Sequence, residues 1–491
     1  MFDHEASKQV TVYNVGSSPG TLKNPIHANR FAAIFEDEMQ HVSSGNLSID
    51  ALYADMTKAF YTAAQRCVPA SCFKPARPWI SDHTLSLLEA RDRSRSINDR
   101  IMERAYTLDI KQSVKQDRTR WLDGLLSNGN WDEIRKLRRN SKSNHLRGRL
   151  RDMQGNTVDS DQRAETLAEY FAKVQWAVRP VTCAIRHEPL GDPLPVDVGT
   201  FSAGEVARAG KQLKRNKASG VDEVPAEFWK AVCSEHAPAC KYVVELCNCV
   251  WASGHVPKAW HEATIRAIFK KGDPLSCENS RPISLISAAY KLFAVALLNR
   301  LKNAGAESRL SSTQFGFRSQ RGSSDAILIA RRLLEDAWSR KDSSLILMAL
   351  DWAKAFDSIS PTSLAMALER FGVPPSFINI VASIYSDRKF TVRDCGCTSN
   401  KYDQHHGISQ GCPLSPFLFS IMMTVLIADA SYAVKNTLSN HLPKAIVNEL
   451  MYADDTLLVA MDSDFAATHM RDIERCGSQY GLSFNWRKVE I

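Results

Sequence analysis

The amino-acid sequence predicts an α+β fold preceded by a mainly helical N-terminal extension. Two short apolar runs, Ala263–Phe269 and Leu345–Leu350, have the length of buried strands, and helical patterns alternate with them. The chain has 491 residues, of which 44% are hydrophobic and 24% are charged. This composition is typical of globular proteins and excludes a disordered or fibrous protein.

The first 200 residues predict helices and connecting segments. A short helix is expected from Asn29 to His41 and an amphipathic helix from Ser48 to Val68. Ser81 and Ser160 are each expected to cap a further helix, because a serine side chain satisfies free backbone N–H groups at a helix start. The proline-rich stretch 180–200 predicts a domain boundary. The predicted division is 1–88 (linker and short helices), 89–200 (basic helical arm and connector), 201–345 and 346–491 (the α+β region).

The positive charge of the chain is concentrated in one segment. The net charge is +8, and residues 89–152 contain seventeen lysines and arginines against ten acidic residues. Trp121 and Trp131 lie within this basic segment. Basic side chains that neutralise phosphates provide affinity for nucleic acid without reading its sequence. A solvated helical arm has the same charge pattern, so both interpretations stay open.

Twelve cysteines are scattered along the chain, and their spacing matches neither a secreted disulfide scaffold nor a zinc finger. Cys233 and Cys240 stand in a segment, Cys233 to Val250, that is expected to form a helix. We therefore expect these cysteines to serve as small apolar core residues.

No membrane span or secretory signal is expected. The longest apolar stretch, Pro416–Ala428, is shorter than the roughly 20 residues that a spanning helix needs. The N-terminus has no basic region followed by an apolar run. An intracellular protein is predicted.

From residue 201 onward the pattern predicts where acidic side chains are placed. Ser202 and Glu205 form a capping box that opens a helix to about Lys214. Asp351 follows the strand Leu345–Leu350, where a buried strand would emerge into a cleft. Two further strands, expected at Lys444–Met451 and Thr456–Met461, are joined by the tight turn Tyr452–Asp455.

If these strands are neighbours, then Asp351, Asp454 and Asp455 converge. Three close carboxylates repel one another unless a cation lies between them, and hard oxygen ligands favour Mg²⁺. Such a site suits phosphoryl transfer with two metal ions. Taken alone, an Asp-Asp pair in a hairpin is also ordinary turn chemistry.

Across about 290 residues the chain contains ordered short blocks: Lys217–Asp222 with Pro225–Glu227, Ile268–Asp273, Arg281–Leu285, Gln314–Arg318, Leu350–Asp357, Gly407–Pro416, Tyr452–Asp455 and Gly481–Asn485. In this order the blocks resemble the reverse transcriptase of non-LTR (LINE-type) retrotransposons. The resemblance implies a right-hand polymerase fold with fingers at 201–345 and an incomplete palm at 346–491. It also implies that the thumb is missing from this chain.

The resemblance implies a role for each matched residue. Asp351 and Asp454 would be the principal ligands of two Mg²⁺ ions, with Mn²⁺ as a substitute, and Asp455 would be the third catalytic carboxylate. Tyr452 would lie near the primer end. Lys488 matches a lysine thought to protonate the leaving pyrophosphate.

The resemblance also implies a nucleotide-binding set. Lys271 and Arg281 would hold the triphosphate of the incoming nucleotide, although the neighbouring Lys270 is an alternative to Lys271. Phe356 would exclude ribonucleotides by packing against the 2′ position of the sugar. Gln410 and Gly411 would contact the incoming nucleotide and the template. The ordinary alternatives are solvated charges, a core phenylalanine and turn residues at a helix entry.

The function implied is RNA-directed DNA polymerase, which extends a DNA primer on an RNA template with deoxynucleoside triphosphates. The resemblance favours the nucleus over the cytoplasm, and the oligomeric state stays open. One alternative is an inactive truncated remnant that acts, if at all, by binding nucleic acid through the basic arm. Another is an intron-type reverse transcriptase with maturase activity.

Overall fold

The computed structural model describes residues 22–41, 48–67, 79–96, 99–127, 149–179, 187–234, 237–341, 343–437 and 447–491. The chain divides into two compact units. One comprises Met1–Ser18 with Val68–Gly148, and the larger one comprises Pro19–Cys67 with Arg149–Ile491. This division differs from the predicted domain limits, because the first two helices of the chain belong to the larger unit.

Helices α1 (Pro25–Gln40) and α2 (Ile49–Cys67) confirm the two helices predicted before residue 70. Their aromatic faces are buried against the segment 226–232. The ring of Phe31 lies 4.7 Å from that of Phe228, and the ring of Phe60 lies 4.7 Å from that of Trp229. Burying such large rings is a major source of folding free energy. Residues predicted to form a linker with short helices therefore build part of the main core.

The smaller unit contains α3 (Asp82–Ser96) and α4 (Arg100–Ser127). Ser81 caps α3 as predicted, since its hydroxyl accepts a hydrogen bond from the Thr84 backbone N–H at 3.3 Å. The buried carboxylate of Asp117 ties the two helices together. It accepts bonds from the Ser81 hydroxyl at 2.7 Å and the Thr84 hydroxyl at 2.6 Å. Trp131 and most of the second half of the basic segment lie outside the described residues.

The connector segment 150–176 packs onto the larger sheet of the main unit. It forms a two-stranded ribbon of β1 (Leu150–Arg151) and β2 (Thr157–Val158), then α5 (Arg163–Tyr170), which continues as a π-helical turn, Phe171–Gln175. The predicted Ser160 cap is wrong, because the helix begins after Gln162 and has no side-chain cap. Phe171 and Trp176 share a buried cluster with Phe390 of the sheet.

Three helices follow, namely α6 (Ala203–Gln212), α7 (Ala226–Val232) and α8 (Cys240–Ser253). The capping box of Ser202 and Glu205 is present, which confirms that prediction. The single helix predicted from Cys233 to Val250 is wrong, because α7 ends at Val232 and α8 begins at Cys240. Cys233 and Cys240 are buried as expected, and burial raises the pKa of the neighbouring Cys247 thiol to about 12.

Two sheets organise the rest of the large unit and confirm the α+β class. The larger sheet has the order β4-β3-β6-β7, with β8 also paired to β6, and the smaller has the order β5-β10-β9. Their strands are β3 (Glu262–Phe269), β4 (Ser280–Leu285), β5 (Ile346–Leu350), β6 (Lys389–Asp394), β7 (Cys397–Thr398), β8 (Tyr402–Asp403), β9 (Glu449–Tyr452) and β10 (Asp455–Ala460). Strands β3 and β4 are antiparallel, whereas β3 and β6 are parallel.

Helices surround these sheets. They are α9 (Ala288–Asn303), α10 (Ala306–Arg309), α11 (Ser323–Ser339), α12 (Ala355–Ser358), α13 (Pro361–Arg370), α14 (Pro375–Tyr385), α15 (Ser415–Thr437) and α16 (Ser463–Ser478). Helix α11 covers one face of the three-stranded sheet, where Ala326, Ile329 and Leu333 pack against Leu450 and Val459.

Helix α15 is longer than the apolar run that predicted it. Among the described residues it is the one helix with the length and composition of a membrane span, at Ser415–Val434. However, 78% of that window is buried inside the protein, and the central helix of a water-soluble domain passes the same test. This helix is therefore weak evidence for a span.

Candidate active site

The smaller sheet places two of the predicted aspartates at neighbouring positions. Strand β10 runs antiparallel to β5, and Thr456 pairs with Leu350. Because Asp351 follows Leu350 and Asp455 precedes Thr456, these two aspartates lie side by side at one end of the sheet. Asp455 also pairs with Tyr452 across the β9–β10 hairpin, which leaves Ala453 and Asp454 as the turn. The sequence predicted this hairpin, and it predicted convergence with Asp351 if the strands were neighbours. The first predicted strand, Lys444–Met451, is observed as Glu449–Tyr452, and residues 444–446 lie outside the described residues.

Gln314 holds the hairpin turn in place. Its side-chain oxygen accepts a hydrogen bond from the Ala453 backbone N–H at 2.9 Å, and its amide nitrogen donates to the Ala453 carbonyl at 3.2 Å. Ala453 has a left-handed backbone conformation with φ of +59°. A Cβ on Gly316 would lie 2.2 Å from the Ala453 nitrogen, so a larger residue cannot fit there. This clamp orients Asp454.

Sequence reasoning missed the role of Gln314. The block Gln314–Arg318 contributed to the family resemblance, but nothing local to that block indicates a partner in a hairpin far along the chain. The available signal was a polar residue beside apolar neighbours, which is also the pattern of a turn. In the structure the Gln314 side chain is completely buried, so its contacts with the hairpin are its main role.

The charges at this end of the sheet interact. Burial raises the pKa of Asp454, and the neighbouring charges of Asp455 and Asp351 raise it further, whereas Arg281 opposes them. The Lys488 ammonium donates a hydrogen bond to Asp351 at 2.9 Å. Lys488 is brought there because the C-terminal segment lies along β5, with Glu490 bonded to Ala349.

The donor set fits a hard divalent cation. All three side chains offer carboxylate oxygens, which Mg²⁺ prefers, and the Lys488 ammonium shows that Asp351 attracts a cation. As they stand, no three His, Cys, Asp or Glu side chains among the described residues are grouped closely enough to hold a metal ion. Asp351 instead faces Lys488. Lys488 occupies one oxygen of Asp351, so it competes with a metal ion for that carboxylate.

Basic side chains of the β3–β4 hairpin lie near these carboxylates. Arg281 pairs in register with Ile268, and the turn that follows β3 carries Lys270 and Lys271. Lys271 lines a groove of about 670 Å³ together with Asp351 and Asp455. Burial lowers the pKa of Lys270, and the adjacent Arg281 lowers it further, whereas Asp357 and Asp351 oppose this. Both lysines are therefore placed to meet a negatively charged ligand.

Phe356 stands in the short helix α12, which follows Asp351. Its ring stacks on Phe419 at 4.6 Å and meets Phe317 edge-on at 6.0 Å. The residue is half-buried. Tyr452, at the end of β9, is 41% exposed and lines the same groove as Asp351.

The loop before α15 carries Gln410 and Gly411. The Gln410 carbonyl accepts a hydrogen bond from the Ser284 backbone N–H of β4 at 2.9 Å. Gly411 has φ of +139°, and a Cβ there would lie 2.5 Å from the Ser284 carbonyl oxygen. The Gln410 side chain donates to Asp357 at 2.8 Å. The structure thus places this side chain against a buried carboxylate beside Phe356.

Comparisons with known proteins agree with this geometry. Residues 268–491 match the family described as reverse transcriptase (RNA-dependent DNA polymerase). The chain is 27% identical over 350 residues to the Transposon TX1 uncharacterized 149 kDa protein of Xenopus laevis. The aligned region covers 70% of this chain and 25% of that protein.

Two further relatives carry retrotransposon names. The chain is 30% identical over 240 residues to a retrovirus-related Pol polyprotein from the type-1 retrotransposable element R2 of Popillia japonica, covering 48% of this chain and 32% of that protein. It is 27% identical over 317 residues to the RNA-directed DNA polymerase from the mobile element jockey of Drosophila melanogaster, covering 62% and 32%. The chain spans about a quarter to a third of the length of these curated relatives.

Proposed function

We propose that the chain, of which residues 268–491 match the reverse transcriptase family, is an RNA-directed DNA polymerase of a non-LTR retrotransposon. The reaction is the addition of a deoxynucleotide to the 3′-hydroxyl of a DNA primer paired to an RNA template. One observation carries the proposal. Asp351, directly after β5, and Asp455, the first residue of the paired strand β10, lie at the same end of the sheet, next to Asp454 in a turn that Gln314 holds.

In the proposed mechanism, Asp351 and Asp454 hold two Mg²⁺ ions and Asp455 adds the third carboxylate. When bound, such ions activate the primer hydroxyl and stabilise the leaving oxygen. Burial raises the pKa of Asp454, and repulsion from Asp455 and Asp351 raises it further; a bound cation would relieve that repulsion. The carboxylates therefore supply the negative field that gathers the cations at the end of the sheet.

The remaining residues act on the nucleotide and the leaving group. Arg281 with Lys271 or Lys270 neutralises the triphosphate, since fixed positive charges offset the charge that develops during transfer. Phe356 closes the sugar side of the site. Lys488 lies on Asp351 and carries the proton that the departing pyrophosphate needs.

The test is primer extension on poly(rA)/oligo(dT) with Mg²⁺ or Mn²⁺, comparing the parent with Asp454→Asn. We expect the variant to lose extension and to keep its Kd for the primer–template, because only the metal site changes. Asp462→Asn is the matched control, since Asp462 caps α16 at 2.9 Å from the Asp464 N–H and asparagine caps equally well. Comparable extension by Asp454→Asn and the parent would remove the proposal.

A second candidate function, nucleic-acid binding by the smaller unit, is favoured by the surface of α4. Five exposed basic residues fall within about 60° of the helix circumference and span about 27 Å at 3.6 residues per turn. They are Arg100, Arg104, Lys111, Lys115 and Arg118. Asp117, which contacts α3, projects from a different side of α4. The basic row therefore faces away from the contact with α3.

The triple variant Lys111→Gln, Lys115→Gln, Arg118→Gln tests this second function. If each residue neutralises one RNA phosphate, the slope of log K against log salt becomes shallower by about 2 for single-stranded RNA. Arg120→Gln serves as the control, because Arg120 lies off the row and interacts with Asp117 at 3.7 Å. An unchanged slope in the triple variant would assign RNA binding to other parts of the chain.

A further inference from the structure

Asp357 is a buried carboxylate that no step of the proposed reaction uses. Its side chain is 3% exposed. One oxygen accepts hydrogen bonds from the amides of Gln175 at 2.7 Å and Gln410 at 2.8 Å, and the other accepts from the Trp176 indole N–H at 2.9 Å. All three partners donate, which matches the acceptor-only chemistry of an ionised carboxylate.

Two of these three donors come from the connector. Gln175 ends the π-helical turn that follows α5, and Trp176 comes directly after it. Both residues precede 268–491, the part of the chain that matches the family. The Trp176 indole also packs against two phenylalanine rings, with ring centroids 4.7 Å from Phe390 and 5.6 Å from Phe171. The connector therefore presents a rigid pair of donors to a carboxylate of the polymerase region.

The third donor links Asp357 to the loop that holds Gln410. The backbone reinforces this link, because the Ile408 N–H donates to the Phe356 carbonyl at 2.8 Å. Gly407 lies so close that a Cβ on it would be 2.8 Å from the Cα of Asp357. The loop with Gln410 and the turn with Phe356 thus meet at Asp357.

The charge of Asp357 is held inside the protein. Burial raises its pKa, and the hydrogen bonds from Gln175, Trp176 and Gln410 together with the nearby Lys270 counteract that rise. A buried charged acceptor that loses one donor leaves an unsatisfied oxygen, which is costly. The positions of its donors are therefore coupled to one another through a single carboxylate.

We infer that Asp357 is a positioning residue, through which the connector residues Gln175 and Trp176 hold Gln410 and the turn that carries Phe356 in place for nucleotide selection. The inference rests on the proposed function. It makes the connector a working part of the nucleotide site, although no connector residue is expected to touch the substrate.

Gln175→Met is the sharpest test. Methionine has a similar length and lacks the amide donor, and it also removes the side-chain oxygen of Gln175, which is buried without a partner. The fold is therefore expected to tolerate this change. Lys173→Gln is the matched control, since Lys173 stands in the same turn and is exposed, with Glu169 as its partner. Asp357→Asn is a second variant, which keeps the shape and removes the charge.

The first readout is the ratio of kcat/KM for dTTP to that for UTP in single-nucleotide incorporation. This ratio does not depend on the fraction of folded enzyme, so a loss of stability alone cannot move it. We expect it to fall about tenfold in Gln175→Met, the cost of roughly one hydrogen bond, and to stay at the parent value in Lys173→Gln. A ratio equal to that of the parent in both Gln175→Met and Asp357→Asn would overturn the inference.

The second readout is hydrogen–deuterium exchange in the segment 404–412, which needs no catalysis. The Gly407 and Ile408 amides are bonded to the Ile359 and Phe356 carbonyls, each at 2.8 Å. These two amides should exchange faster in Gln175→Met than in the parent. In Lys173→Gln they should exchange at the parent rate. If the parent extends no primer, the proposed function fails, and exchange alone decides whether the connector positions this loop. Unchanged exchange in Gln175→Met would refute the inference in either case.

Discussion

Asp351 and Asp357 stand in the same motif and have opposite surroundings. The side chain of Asp351 is 31% exposed, opens into the groove and faces the Lys488 ammonium at 2.9 Å. The side chain of Asp357 is 3% exposed and is enclosed by N–H donors. The Asp351 carboxylate is open to a cation, whereas the Asp357 carboxylate accepts three hydrogen bonds from protein side chains.

The two aspartates share a residue type and differ in environment, which fits the proposed roles of Asp351 as a metal ligand and Asp357 as a positioning residue. A charge that must gather a metal ion has to remain accessible and incompletely paired. A buried charge persists only when hydrogen bonds replace its lost water. The two residues are close in sequence because β5 ends at the cleft and α12 turns directly back into the core.

The largest expected effect contrasts the two aspartates directly. Asp351→Asn removes a proposed metal ligand, so extension should fall by about 10³-fold or more, which corresponds to roughly 4 kcal/mol of transition-state stabilisation. Asp357→Asn should retain a measurable rate with altered nucleotide selection. Pre-steady-state incorporation of dTTP measures both variants. Equal losses in the two variants would erase the distinction between them.

A third carboxylate, Asp429, extends the comparison of Asp351 with Asp357, because it is as buried as Asp357 but is paired with a charged side chain, that of Arg370. Arg370 donates to its two oxygens at 2.6 and 2.7 Å, and both side chains are buried. Asp429→Asn should lower the free energy of unfolding by about 3 kcal/mol, because it leaves a buried guanidinium without a counter-charge. Urea unfolding followed by tryptophan fluorescence measures this.

The control for Asp429 is Asp403→Asn. Asp403 meets Lys389 at 3.8 Å, and both side chains of that pair are exposed. Its loss should cost less than about 1 kcal/mol. A similar cost for both substitutions would show that burial does not separate these ion pairs.

Phe356→Ala tests the ring of a residue that lies between Asp351 and Asp357 in the sequence. Removing the ring should open space at the 2′ position and reduce discrimination against UTP by about 10- to 100-fold, since a steric gate works by excluding one hydroxyl. Phe465→Leu is the control, because Phe465 belongs to α16 and contacts His469. Discrimination in Phe356→Ala equal to that in the parent would remove the assignment of the gate.

The smallest expected effect concerns the magnesium requirement set by the cation that faces Asp351. In Lys488→Gln the competing ammonium is gone, so the Mg²⁺ concentration for half-maximal extension should fall about threefold, as for one unit charge in a solvated groove. The rate at saturating Mg²⁺ should fall separately, because the proposed proton donor is lost. The matched control is Arg487→Gln, because Arg487 lines the same groove and Lys488, not Arg487, is bonded to Asp351. A higher magnesium requirement in Lys488→Gln would contradict the competition.

The sequence predicted the elements that have local signatures. Strands β3, β5, β9 and β10 follow from apolar runs, and the Ser202–Glu205 capping box follows from its spacing. The Asp351 and Asp454–Asp455 positions follow from strand ends and a hairpin turn. The reverse transcriptase family itself was predicted from ordered short blocks, and the comparisons confirm it.

One error had a local signal. The helix predicted from Cys233 begins only at Cys240, and Pro238 marks that boundary although the apolar pattern continues through it. The two helices before residue 70 were predicted, but the packing of Phe31 and Phe60 into the core of the large unit was not. That packing has no local signal, since burial depends on what the rest of the chain supplies.

By itself, the sequence determined the α+β class, the family and the order of the aspartates, because hydrophobic period, turn chemistry and motif order are properties of neighbouring residues. The tertiary structure alone decided that Gln314 clamps the hairpin and that Gln175 reaches Asp357. Those partners are separated by 139 and 182 positions in the chain. Hydrogen bonds over such distances depend on how whole elements pack, and no spacing in a single sequence specifies that packing.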